Sequence, residues 1–254
     1  MQDEGKKNLA VFSIAAFLND IGAHIVKPLW PAFVMALPGA SAGLLGLLDG
    51  MGNSIASISR FPAGVLADKH RKKPFIWMGY ILGGLSRTGY ALAGMLNTVW
   101  FLLPFKITDR LGKGIRDPAR DALLAGSVKK KVRGQSFGVL RALDTAGAIV
   151  GPLLAYSLLS ALGYTRLFLL ATIPSLIGAT LIVKFIQERK SGKTARNLIG
   201  ISKLGKNFRN LTLVSALFAL SWFSISFMLL LSERLVGVEV LPLLYLAFTV
   251  STAA

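Results

Sequence analysis

Sixteen charged or titratable side chains fall inside or beside long apolar stretches of this 254-residue sequence: Asp20, His24, Lys27, Asp49, Arg60, Arg87, Lys106, Asp109, Arg110, Lys113, Arg116, Asp117, Arg120, Asp121, Arg141 and Asp144. Charges at membrane depth are expensive and mark paired or functional positions. Arg110, Lys113 and Asp117 recur at three- and four-residue steps and so share one helical face, as do Arg141 and Asp144, three apart. Two chemistries compete for the set. One is ion pairing that locks helices together, expected for Arg116, Arg120, Asp121, Arg141 and Asp144. The other is a water-accessible interior that handles a solute or protons, expected for Asp20, His24, Asp49, Asp109, Arg110 and Lys113. Both hold if the pairs rearrange during a cycle. Lys27, Arg60 and Arg120 lie near helix ends, where long side chains can reach headgroups.

Other chemistries are excluded or unsupported. With no cysteine there is no disulfide or thiolate site, and two histidines in separate contexts make no metal cluster. Gly192-Lys193-Thr194 lacks the earlier glycine and the strand of a phosphate loop. The expectation is a protein that is not an enzyme and carries no cofactor or metal.

The elements holding these charges are read as helices in a bilayer. The chain is 53% hydrophobic and 16% charged, with mean hydropathy +0.59, too apolar to cover itself for water. A transmembrane helix takes about 20 mostly apolar residues. Seven such stretches run near 9–35, 42–66, 75–96, 98–117, 135–159, 166–187 and 211–231, and 240–254 begins another. Loops alternate between basic and nearly uncharged. Of 29 Lys and Arg residues, 18 lie at the N-terminus, in 68–73, in 129–133 and in 184–209. The positive-inside rule puts those segments in the cytoplasm. The formal charge of +17 therefore reports topology and membrane lipids, not a nucleic-acid partner. A multi-pass protein of the inner (plasma) membrane with a cytoplasmic N-terminus follows. Gly147 and Gly151, four apart with Pro152 beside them, make a flat face for close helix packing.

The run Gly64-Val-Leu-Ala-Asp68-Lys69-His70-Arg71-Lys72-Lys73 resembles the loop signature between spans two and three of the major facilitator superfamily. Arg110-x-x-Lys113-Gly114 is similar to that family's fourth-span pattern, with Lys113 in place of the usual Gln. Gly147-x-x-x-Gly151-Pro152 resembles the fifth-span motif of proton-driven drug antiporters, with Ala155 where a last Gly is usual. Asn19–Phe33, Asp109–Ala125 and Phe137–Ala155 look like a prokaryotic subgroup of facilitators, although His24 replaces its Glu and Lys27 its Tyr.

The resemblance implies an all-α membrane protein with the major facilitator fold: a complete N-terminal six-helix half and the start of the C-terminal half. Residues 1–187 are expected to form the six-helix bundle, 188–210 a basic cytoplasmic linker, and 211–254 the first helix and part of the second of the other half. On this reading the sequence is the N-terminal part of a longer protein. The resemblance further implies secondary active transport of a small solute by alternating access, as proton-coupled efflux. Gly64, Asp68, Lys69, Arg71, Lys72 and Lys73 would form a gating loop, with Asp68 near a helix start. Arg110 and Asp20 would serve coupling or the cavity. The alternative is a non-transporting membrane protein that binds other membrane proteins through its unfilled half-interface.

Overall fold

A computed structural model of the chain describes residues 3–188, 205–220 and 223–253. The helices are α1 (Asp3–Met35), α2 (Ala42–Lys69), α3 (Lys72–Met95), α4 (Leu102–Ser127), α5 (Arg133–Phe185), α6 (Lys206–Leu220), α7 (Ile225–Val236) and α8 (Leu241–Ala253). At about 1.5 Å per residue, each of α1 to α4 is long enough to cross a bilayer core.

Local sequence sets the helix ends. The Ser41 hydroxyl accepts from Leu44 N at 3.1 Å and caps α2. The boundary expected at 160–165 is a single break in α5, where Gly163 takes φ +66°, a conformation that strongly favours glycine. The chain reverses there. Gly147 and Gly178 both abut α1 between Ala15 and Ile21, yet roughly 30 residues of straight helix would hold them about 45 Å apart. The two arms, 133–162 and 164–185, thus pack around the same turns of α1.

The stretch 211–231, expected as one helix, is divided into α6 and α7. Ser224 begins α7, its hydroxyl accepting from Ser226 N and donating to Asp49 Oδ2 at 3.0 Å. That tertiary bond satisfies the break, which hydropathy does not reveal. The polar linker expected at 188–210 lies outside the described residues over 189–204.

Apolar packing falls at the two ends of α1. Phe12, Ala15 and Ala16 join Tyr80, Leu124 and Leu140 at one end, while Ile25, Leu29 and Phe33 join Leu45, Tyr90 and Phe168 at the other. A third cluster seats Leu229, Leu241 and Tyr245 of α7 and α8 on Ala32. Large apolar side chains such as Ile58, Phe61, Trp100, Leu153 and Ile173 face outward, as lipid contact requires. Among the described residues, only Glu4–Met35 and Lys130–Phe185 pass a plain length-and-hydropathy test for crossing a membrane. Intervening α4 fails it because it carries the charged row described next.

Candidate functional site

Between the two ends of α1 lies a polar layer arranged in helical rows. On α1, Asp20, His24, Lys27 and Trp30 follow at three- and four-residue steps. The same spacing gives Gly79, Gly83, Arg87 and Tyr90 on α3, and Lys106, Asp109, Lys113 and Arg116 on α4. With Asp49 of α2, Ser224 and Ser226 of α7 and Tyr245 of α8, these rows line one cavity of about 360 Å³. That volume is in the range of small-molecule sites. Asp20, His24, Asp49, Asp109, Arg110 and Lys113 all border it.

Its electrostatics are lopsided. Six Lys or Arg residues line the cavity against three Asp, a formal excess of three positive charges. Asp49 is fully engaged: Lys106 Nζ donates to Oδ1 at 2.9 Å, Trp30 Nε1 to the same oxygen at 3.1 Å, and Ser224 to Oδ2. Lys106 also lies 3.8 Å from the centre of the Trp30 ring. The start of α7 meets this same carboxylate, so a helix N-terminus faces the charge it favours. Asp109 lies 3.3 Å from Arg110 Nε. Asp20 accepts from Asn19 Nδ2 at 3.0 Å and has no ion pair among the described residues.

Four cavity cations, Lys27, Arg87, Lys106 and Arg116, were not placed there by sequence reasoning. Lys27 does not reach a headgroup, because α1 continues to Met35; its ammonium donates to His24 Nε2 at 2.7 Å. A proton then sits on Nδ1, which faces Tyr245 Oη at 3.4 Å. Lys106 pairs with Asp49. Arg87, 2% exposed, donates to Asn19 O and Oδ1, to Ala171 O and to Ser175 Oγ, tying α3 to α1 and α5 through neutral acceptors. The three-and-four spacing, applied to α1 and α3 and carried along the full α4 row from Lys106 to Arg116, is the signal that finds them.

A second cavity, of about 390 Å³, shares Asp20, Lys113 and Arg116 with the first and extends to Arg60, Asp117, Arg120, Asp121, Arg141 and Asp144. It lies toward the end of the bundle where loops 68–73 and 129–133 emerge. Here α4 and α5 are joined by ion pairs: Arg120–Asp144 and Arg141–Asp121, both at 3.7 Å. Intrahelical pairs, Arg120–Asp121 and Arg141–Asp144 at 3.1 Å each, complete the network. Arg120 is 3% exposed along its side chain and does not snorkel. Arg116 departs from the interhelix pairing expected of it. Its ion pair, at 2.9 Å, is with the adjacent Asp117 on α4; its contact with another helix is the Tyr80 ring, 4.8 Å away. Sequence adjacency satisfies the guanidinium before any neighbouring carboxylate reaches it.

Gly147 and Gly151 back the α1 row from behind. A Cβ at Gly151 would stand 2.7 Å from His24 Cβ, and one at Gly147 2.5 Å from Phe17 O; Pro152 is buried beside them. Gly64, by contrast, has open space around it. Asp68 falls in the last turn of α2 rather than at a helix start, and the side chains of Asp68 and Lys69 lie outside the described residues. The carboxylate at the start of α3 is Glu188, which accepts from Lys72 N at 2.7 Å and Lys73 N at 3.0 Å, while Lys73 Nζ donates to Ile186 O at 2.8 Å. Arg71 is exposed.

Comparisons with known proteins agree with this architecture. An uncharacterised MFS-type transporter of Methanocaldococcus jannaschii is 32% identical over 237 residues, covering 91% of this chain and 58% of that protein. The multidrug resistance protein MdtH of Escherichia coli is 30% identical over 139 residues, 55% of this chain and 34% of its own. The chain thus spans little more than half the length of the Methanocaldococcus relative and about a third of MdtH. Among solved structures, a bacterial homologue of the human lysosomal transporter Spinster, captured inward-facing and occupied, superposes with a TM-score of 0.73 at 17% identity, covering 92% of this chain and 56% of that one. The peptide transporter PepTSo gives 0.61 at 13% identity, covering 96% of this chain and 53% of its own. The family model of the Major Facilitator Superfamily matches residues 12–254, and with the helical bundle and its central polar layer it establishes that this chain belongs to that superfamily of membrane transporters.

Proposed function

We propose that the chain serves secondary active transport, moving a small solute outward across the plasma membrane by alternating access with protons as the coupling ion. One observation carries the reading: a solute-sized charged cavity that shares Asp20, Lys113 and Arg116 with a second cavity toward the basic loops. Leu229, Leu241 and Tyr245 pack on Ala32 and form the proposed seal at the opposite end. On the basic-loop side, the row of α4 runs through Lys113 and Arg116 into the second cavity. This arrangement fits one of two access states, in which a solute arrives from the basic-loop side and leaves when the seal at Ala32 opens.

Asp20 is the proposed proton carrier. It borders both cavities and, unlike Asp49 and Asp109, is not neutralised by a lysine or arginine among the described residues. Protonation there changes the charge of the shared wall, which biases one access state over the other. Arg110, paired with Asp109 and lining the same cavity, is the proposed partner that senses that change. The Arg120–Asp144 and Arg141–Asp121 pairs are the proposed breakable contacts at the basic-loop end. The gating loop around Asp68 remains part of this proposal.

The test is flux in proteoliposomes carrying the full-length protein under an imposed pH gradient. Asp20→Asn is expected to abolish gradient-driven flux while keeping solute exchange at zero gradient. Gradient-driven flux at the wild-type rate in that variant removes Asp20 from coupling, and flux indifferent to the gradient in the wild type removes protons.

A further inference from the structure

Lys27 and Lys113 face the first cavity without a carboxylate within ion-pair distance among the described residues. The other cavity cations are provided for. Lys106 has Asp49, Arg110 has Asp109, Arg116 has Asp117, and Arg87 is surrounded by oxygen acceptors from Asn19, Ala171 and Ser175. The carboxylate left over, Asp20, is held by Asn19 and pairs with neither lysine. Lys27 has instead the imidazole of His24, a neutral acceptor.

An ammonium removed from bulk water without a counter-charge is costly, and an anion placed beside it recovers that free energy. Two such ammonium groups from facing helices, in a space of about 360 Å³, make a site whose missing component is negative. The rest of the wall is mixed, and its apolar and aromatic part is made by Val26, Trp30, Tyr90, Ile225 and Tyr245. A compact headgroup between the lysines would leave the rest of a ligand against these rings. His24 and Tyr245, joined at 3.4 Å, supply hydrogen-bonding groups at the boundary between the charged and apolar parts.

We propose that this cavity binds an organic anion, with a carboxylate or phosphate group between Lys27 and Lys113 and an apolar body against Trp30, Tyr90 and Tyr245. The inference rests on the transport reading for its biological meaning and on the geometry alone for the charge of the ligand.

The experiment is equilibrium binding to the purified full-length protein, using probes of one size and differing charge: benzoate and phenyl phosphate, neutral benzamide, and cationic benzylamine. The anions are expected to bind at least tenfold more tightly than benzamide, with benzylamine weakest. Benzamide or benzylamine binding as well as benzoate overturns the proposal on wild-type protein, whatever the variants do. Lys27→Met with Lys113→Met is expected to remove the preference for anions, and Lys113→Arg to retain it. Anion preference undiminished in a folded double variant also overturns it. A phosphate monoester can be soluble or the headgroup of a lipid. Stronger binding of lysophosphatidate than of phenyl phosphate assigns a lipid source, the reverse a soluble one, and both support an anionic site. Failure is separable from failure of the transport reading. Saturable flux of a neutral or cationic solute leaves transport standing and sinks the anion site, whereas anion binding without flux of any probe does the opposite.

Discussion

Replacing Gly151 by alanine adds one methyl group where α5 crosses α1. That carbon would lie 2.7 Å from both His24 Cβ and Ile21 O and 2.9 Å from His24 C. Carbon atoms in contact settle at about 3.5–4.0 Å, so the two helices must part by roughly 1 Å. Two of the three close atoms are backbone, and the third is fixed to it, so no rotamer change relieves the clash. Overpacking of this kind costs about 1–3 kcal/mol. Gly138 is the control, on the same arm of α5 with open space where its Cβ would be. There the change to alanine gains up to about 1 kcal/mol of helix propensity. Gly151→Ala gains the same propensity, so the two variants should differ by the overpacking alone, about 1–3 kcal/mol, or on the order of 2–12 °C in unfolding midpoint at the usual conversion for a large domain. Thermal denaturation of the full-length protein in detergent, followed by intrinsic tryptophan fluorescence, measures the difference. Gly151→Ala and Gly138→Ala melting together would show that α5 does not press on α1 at His24, and the account of how the cavity row is held would fail.

Three further outcomes are expected. Asp49→Ala leaves Lys106, 6% exposed along its side chain, without its partner and should destabilise the protein by about 3–5 kcal/mol; combining it with Lys106→Met should recover much of the loss, and additive effects in this double-mutant cycle would refute the pair. Glu188→Ala removes the carboxylate from the start of α3 and should cost about 1 kcal/mol, read as faster hydrogen exchange at the Lys72 and Lys73 amides. Asp68→Asn is expected to lower transport by the full-length protein to near zero while membrane insertion is unchanged, and wild-type flux in that variant would remove the gating role proposed for the loop.

The sequence by itself determined the helical class, the approximate places of the first six spans (though α4 runs ten residues past its expected end), the basic-loop pattern and the family. These are properties of the chain read locally. Hydropathy over some 20 residues and the placement of lysines in loops do not depend on which helices are neighbours. The α4 row at Arg110, Lys113 and Asp117 was legible for the same reason, since helical spacing alone puts those residues on one face. Only the tertiary structure decided the pairings. Arg87 satisfies itself on Asn19 and Ser175, neutral residues from elsewhere in the chain that no charge pattern marks. Lys27 turned inward because α1 extends eight residues past it, and Arg116 took the nearest carboxylate instead of one across the bundle. The break at Ser224 is held by Asp49, far away in the chain. A buried polar group must find a partner within about 3 Å, and which atoms come that close is settled only when the helices pack.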